Sequence, residues 1–328
     1  MIPTPFLRSP PFPGIAASLA AVSVMRETGD GAAPVDDDVL DAIVAARVGG
    51  AFWGARPGEP GRSDRAESDP WALVASVQSI HAQADDDVAL IAGLLGVSVI
   101  GPDGAVIDPG QLRASLKARI AAARYRDCFT GAPVDAMQAV TQLADWRRHI
   151  DGNRGIVAAS GMAFWKRDAI RHFLWDGTAS PPFLSADRGL RRARREQGAL
   201  AVWPSRVPVT LPQDAADLGV ALARVEDGFL RSRGLGAALH PPGSVVVDRT
   251  GIYYNARAAN DLETLLATHD FPSALVDRAR RLRERVCATG VTKYGPEAGQ
   301  MIDLPTGKRT VLAIGQVDDD LSVRLGGA

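Results

Sequence analysis

The residues best suited to chemistry lie in one stretch, Arg224 to Gly236, which reads RVEDGFLRSRGLG. Two adjacent carboxylates, Glu226 and Asp227, follow an apolar run (Val220, Ala221, Leu222, Ala223) with the character of a buried strand. Gly228 breaks the run, and Arg231 and Arg233 then alternate with Ser232, Gly234 and Gly236. Charge of both signs at the C-terminal end of a strand falls where open α/β sheets bind ligands. Carboxylates there can transfer a proton or attack a sugar carbon, and fork-shaped guanidinium groups can hold an anionic substrate. A lone Glu-Asp-Gly reads more simply as an Asp-Gly turn with a solvated ion pair. The whole basic, glycine-punctuated segment shifts that balance. A second polar cluster, Gln316, Asp318, Asp319, Asp320 and Ser322, follows the strand-like run Thr310 to Gly315.

These groups need a scaffold, and the bulk properties bound it. A chain of 328 residues is too long for one ordinary core, so two domains are expected. With 46% apolar and 23% charged residues the composition is that of a folded globular protein, and a net charge of -1 gives no global pull toward nucleic acid. The arginine clusters Arg191 to Glu196 and Arg278 to Val286 read as solvated helix faces. Cys128 and Cys287 fit no metal or disulfide spacing, so neither metal nor cofactor is expected, and a reducing cytoplasm suits them. No run of 18 apolar residues exists to span a membrane. Pro10, Pro11 and Pro13 interrupt the approach to the apolar run Ile15 to Met25, which reads as an irregular arm rather than a secretory signal.

Along the first half, residues 1 to 155, helical and strand-like periods alternate. A helix capped at Asp36 to Asp38 stops at Gly49 and Gly50, and a strand-like AFWG follows. Next come a helix from Asp69, a strand at Ser79 to Ala82, a helix from Asp86 to Leu95 and a strand from Val97 to Ile100. Long helices are expected over Leu112 to Arg126 and Pro133 to His149. Such alternation implies βαβ units and a parallel sheet. The acidic run Asp85, Asp86 and Asp87 reads as a helix cap rather than a metal site. No phosphate-binding glycine loop is present, so a dinucleotide oxidoreductase is disfavoured.

The second half, residues 156 to 328, repeats the α/β pattern. A segment MAFWKRDAIRHFLW, a basic helix Asp187 to Gln197 and the strand ALAVWP, ending at Ser205 and Arg206, lead through a short helix to the strand that carries Glu226 and Asp227. Val245 to Val247 and Ile252 to Tyr254 are expected to form a β-hairpin. Helices from Asp261 and from Ser273 to Ala288 follow.

Taken in order, SGMAFWKR (Ser160 to Arg167), RVEDGFLRSRGLG, VVVDRTGIYYN (Val245 to Asn255), TKYG (Thr292 to Gly295) and GQVDDDLSV (Gly315 to Val323) resemble the bacterial capsule polysaccharide β-Kdo transferases of the KpsC/LipA type. The resemblance implies tandem modules of GT-B-like, Rossmann-type lobes with parallel sheets flanked by helices. It implies a retaining transfer of Kdo, an acidic sugar, from CMP-Kdo to a phosphatidylglycerol-type lipid acceptor on the cytoplasmic face of the inner membrane. By this resemblance residues 156 to 328 are the acceptor-side lobe of a second module, and residues 1 to 155 contain a degenerate nucleotide-side lobe of a first. There the family pattern S-x-x-G-F-E-A-L-L-L-G is replaced by DDVALIAGLLG, with Asp86 for the Ser and Ile91 for the Glu. By the resemblance, the family's last nucleotide-binding lobe would follow the GQV-x-DD-x-S segment, and the chain is expected to be either a fragment of a longer transferase or half of a split enzyme whose companion subunit supplies that lobe. Under this reading Asp227 is the nucleophile and Glu226 the acid-base or orienting group, while Asp319 and Asp320 are either further acid-base candidates or plain helix caps. Arg206, Arg231, Ser232, Gly234, Gly236, Gln316 and Ser322 are the candidates for substrate binding. The alternative is a non-catalytic protein that binds the acceptor or a partner.

Overall fold

The computed structural model describes residues 4–16, 21–25, 34–56, 67–231, 239–271 and 273–291, with single positions at 307, 309, 311, 323 and 324. The chain divides into two compact units, one formed by Met1–Gly155 with Leu174–Ser180 and the other by Ile156–Phe173 with Pro181–Ala328. Trp175 shows why the short segment joins the first unit: its ring lies 5.4 Å from that of Phe12, and its carbonyl accepts from Asn153 Nδ2 at 3.0 Å.

The first unit is α/β, but only part of its sheet structure is parallel. Strands β2 (Ser79–His81) and β3 (Ser98–Ile100) pair in parallel around the helix Asp87–Leu95, as the alternation predicts. A separate antiparallel sheet runs β1–β4–β5, from Ser23–Met25, Ala123–Arg126 and Pro133–Val134. The helix expected to reach Arg126 therefore ends at Ala121, and its last expected turn is instead a strand paired with β1. The AFWG segment is a turn closed by Gly54 N–H on the Ala51 carbonyl, not a strand. Asp69 caps the helix Pro70–Ala75 through Trp71 N–H and, fully buried, binds Arg147 at 2.7 Å; Arg147 also donates to the carbonyls of Arg47 and Phe52. In the acidic run, Asp86 is the N-cap residue and accepts from Gln83 N–H, while Asp87 pairs with Arg8 and Arg119.

The second unit is built on one four-stranded sheet, β6–β7–β8–β9, from Ile156–Ser160, Ala199–Val202, Ala221–Asp227 and Val245–Asp248. The first three strands are parallel and β9 closes the edge antiparallel to β8. Strands β6 and β7 are buried along their whole length, which their unbroken apolar runs require. The helices Ala186–Glu196 and Leu211–Asp217 make the two crossovers, and their Leu190, Ala193, Leu211 and Ala215 pack with Leu200 and Val202. The expected hairpin is absent. Val245–Asp248 pairs with β8 instead, and Ile252 to Tyr254 lie in turns. The cause is Asp248: its buried carboxylate accepts from the N–H groups of Thr250, Gly251 and Asp261, which turns the chain toward the helix Asp261–Thr268.

Candidate active site at the C-terminal edge of the second sheet

Because β6, β7 and β8 are parallel, with Ser160 opposite Val202 and Val202 opposite Arg224, their C-terminal ends emerge along one edge, and β8 runs on past Arg224 to Asp227. Each delivers a different group to that edge. After β6, Gly161 adopts a φ of +79°, and a side chain on it would meet Val207 and the Trp203 carbonyl at 2.9 and 3.0 Å. The turn it permits leads into a 3-10 segment, Phe164–Lys166. After β7 comes Trp203, followed by the 3-10 turn Pro204–Arg206. After β8, Gly228 passes so close to Ser244 that a Cβ would sit 2.2 Å from its Oγ, and its N–H bonds the Ser244 carbonyl at 2.9 Å.

Asp227 is the meeting point. Lys166 Nζ donates to both of its oxygens, at 3.1 Å to Oδ1 and 3.0 Å to Oδ2, and Arg231 Nε donates to Oδ2 at 2.7 Å. Lys166 Nζ also lies 3.6 Å from the centre of the Trp203 ring and 5.2 Å from that of Trp165. Arg231, 2% exposed, lies over Trp165 and sends an Nη2 N–H to the His240 carbonyl at 3.2 Å. Burial pulls the Lys166 ammonium below the ordinary lysine range, against the opposing pull of Asp227.

Glu226 occupies a different environment from its neighbour. Its side chain bends along the strand end so that Oε1 accepts the Asp227 N–H at 3.0 Å, and Tyr254 Oη approaches Oε2 at 3.5 Å. Burial raises its pKa above the ordinary glutamate value, and the Asp227 charge adds to that rise. The edge thus holds a carboxylate paired with two cations beside a carboxyl group with increased proton affinity, a division of labour suited to acid-base and nucleophilic work.

Of the candidates named from sequence, Glu226, Asp227 and Arg231 come together here. Arg231 is engaged with Asp227 and the backbone rather than presented to solvent, and Arg206 is exposed on the turn after β7. Ser232, Gly234, Gly236, Gln316, Asp319, Asp320 and Ser322 lie outside the described residues. Lys166 is the site residue that sequence reasoning missed, although its segment was singled out; the signal was a lysine flanked by tryptophan just beyond a buried strand. Among the described residues no group of three or more His, Cys, Asp or Glu could hold a metal, and no helix is long and apolar enough to cross a membrane. A cleft of about 770 Å³ belongs to the first unit, beside β1 and β4, but two of its acids, Asp36 and Asp135, hold helix N-cap positions.

A family model described as capsule polysaccharide biosynthesis protein matches residues 198–328, the part that contains Glu226, Asp227 and Arg231. The capsule polysaccharide modification protein LipA of Neisseria meningitidis is 30% identical over 203 residues, which cover 62% of this chain and 29% of LipA. The lipopolysaccharide-processing protein LpsZ of Rhizobium meliloti is 33% identical over 182 residues, covering 52% of this chain and 40% of LpsZ. The chain therefore spans well under half the length of these relatives. Among solved structures, the β-Kdo 2,4 transferase of Thermosulfurimonas dismutans KpsC is 26% identical with a TM-score of 0.42, each chain covered to 52%. The β-Kdo 2,7 transferase of the same KpsC is 25% identical with a TM-score of 0.35, covering 52% of this chain and 50% of that one.

Proposed function

We propose that this chain, similar to LipA and LpsZ and matched over residues 198–328 by the capsule polysaccharide biosynthesis family model, acts in capsule polysaccharide assembly as a retaining transferase of Kdo from CMP-Kdo. The observation that carries this reading is Asp227, a carboxylate at a strand end held between Lys166 and Arg231 with Glu226 beside it. In the first step Asp227 bonds to the anomeric carbon of Kdo while the bond from that carbon to the phosphate oxygen breaks, and the electron pair leaves with CMP. In the second step an acceptor hydroxyl attacks the same carbon and Asp227 departs as a carboxylate. Glu226 takes the hydroxyl proton, a task its raised proton affinity suits. Two inversions at one carbon give net retention.

The acceptor in this reading is a lipid-linked, phosphatidylglycerol-type molecule met at the inner face of the inner membrane. Arg206, exposed on the turn after β7, is our candidate to pair with its phosphate. The residues of the first unit that the resemblance aligns with a nucleotide site are altered in kind: Ile91 is fully buried in the core, and Asp86 caps the turn above β2 and β3. We assign that unit no sugar-nucleotide chemistry of its own. The test is calorimetric titration with CMP-Kdo alongside an assay for CMP release. Binding with release supports the transferase. No binding and no release would instead support a non-catalytic protein that holds the acceptor or a companion subunit.

A further inference from the structure

We infer that Lys166 is a positioning residue that fixes the Asp227 carboxylate so that it attacks through Oδ1, an inference that rests on the nucleophile reading above. Asp227 Oδ2 is anchored twice, by Arg231 Nε at 2.7 Å and by Lys166 Nζ at 3.0 Å, whereas among the described residues Oδ1 accepts from Lys166 alone, at 3.1 Å. Oδ1 is therefore the oxygen with more electron density left for a new bond.

Lys166 can hold this orientation because it is itself held. Its side chain is 10% exposed, and its ammonium sits 3.6 Å from the Trp203 ring centre, a contact of cation with aromatic face that leaves both Asp227 oxygens in reach. Three strand ends converge in this contact: Lys166 follows β6, Trp203 follows β7 and Asp227 ends β8. Arg231 approaches the other oxygen: its Nε donates to Oδ2, and its Nη2 donates to the His240 carbonyl. Without Lys166, Oδ1 has no side-chain donor among the described residues, and the carboxylate keeps the Arg231 contact to Oδ2. In the step itself the Oδ1–carbon bond forms, the carbon–phosphate oxygen bond breaks, CMP carries off the electron pair and no proton moves.

The experiment compares the full chain as wild type, Lys166→Met and Lys166→Arg in steady-state transfer from CMP-Kdo, with kcat and KM determined separately and folding checked by circular dichroism melting. Misplaced reacting atoms cost rate rather than affinity, so Lys166→Met is expected to lower kcat about a hundredfold with KM changed less than about threefold. Lys166→Arg, which keeps a cation able to donate to both oxygens, is expected to recover about tenfold of that loss. A folded Lys166→Met protein with kcat within about threefold of wild type, or a loss confined to KM, would overturn the role while leaving the transferase reading in place. Should Lys166→Met not fold, Lys166→Gln is read by the same criteria. A wild-type chain that moves no Kdo would overturn the transferase reading, and the role would fall with it.

Discussion

Asp227 and Glu226 are neighbours on one strand, yet their surroundings give them different chemistry. Asp227 is bound by Lys166 and Arg231, and its replacement by Asn keeps the shape while removing the nucleophile; transfer is expected to fall by roughly three to four orders of magnitude. Glu226→Gln removes an acid-base group and is expected to cost about 10²–10⁴ in kcat. Its raised pKa also makes a stability prediction of definite sign. Between the ordinary glutamate value and the raised one, the folded protein keeps a proton that the unfolded chain has released. The stabilisation from that proton is complete below the ordinary value and disappears as pH rises through the raised value. Urea denaturation across this range is expected to show wild type losing stability relative to Glu226→Gln as pH increases; a difference that stays constant with pH would contradict the burial of Glu226. The paired carboxylates were legible from sequence because an apolar run ending in charge has few structural meanings. Lys166 was not, because its importance comes from Trp203 and Asp227, which reach it from other strands.

At the level of elements, two of the strands that bear the site, β7 and β8, read correctly, and the pairing of the next strand did not. Continuous apolar runs identified β7 and β8, whereas β6, Ile156–Ser160, was not read as a strand although it is buried along its whole length. The hairpin failed because Asp248 draws three backbone N–H groups onto its side chain, a local competition that apolar pattern does not report. The strand Ala123–Arg126 has no local signal that separates it from the preceding helix, because its pairing with Ser23–Met25 is remote in sequence. Two substitutions test the elements that were found. Gly228→Ala places a methyl group 2.2 Å from Ser244 Oγ, and the strain at the β8–β9 junction is expected to cost about 1–3 kcal/mol in urea denaturation, with transfer reduced as Asp227 shifts. In the first unit, Arg147→Met leaves the fully buried Asp69 without its closest cation and is expected to destabilise the fold by about 3–5 kcal/mol; a loss below about 1 kcal/mol would show that Arg56 compensates.

For the whole molecule, length and composition pointed to two domains, and the coordinates divide into two compact units with Leu174–Ser180 counted in the first. Sequence order alone could not anticipate that return, since Trp175 joins its core by packing rather than by any local motif. The basic helix Ser273–Thr289 has no buried side chain among those described, and it carries Arg278, Arg280, Arg281, Arg283 and Arg285. Liposomes containing anionic lipid are expected to retain the chain at low salt and release it at high salt, each cation near the surface adding about 1 kcal/mol. Retention unaffected by salt would contradict this electrostatic account. The central claim, that Asp227 takes the sugar covalently, is tested most directly by intact-protein mass spectrometry after brief exposure to CMP-Kdo without acceptor. The account predicts a protein heavier by one Kdo residue, with the added mass on the Asp227 peptide and missing in Asp227→Asn; CMP release without any adduct on Asp227, or an adduct that persists in Asp227→Asn, would contradict it.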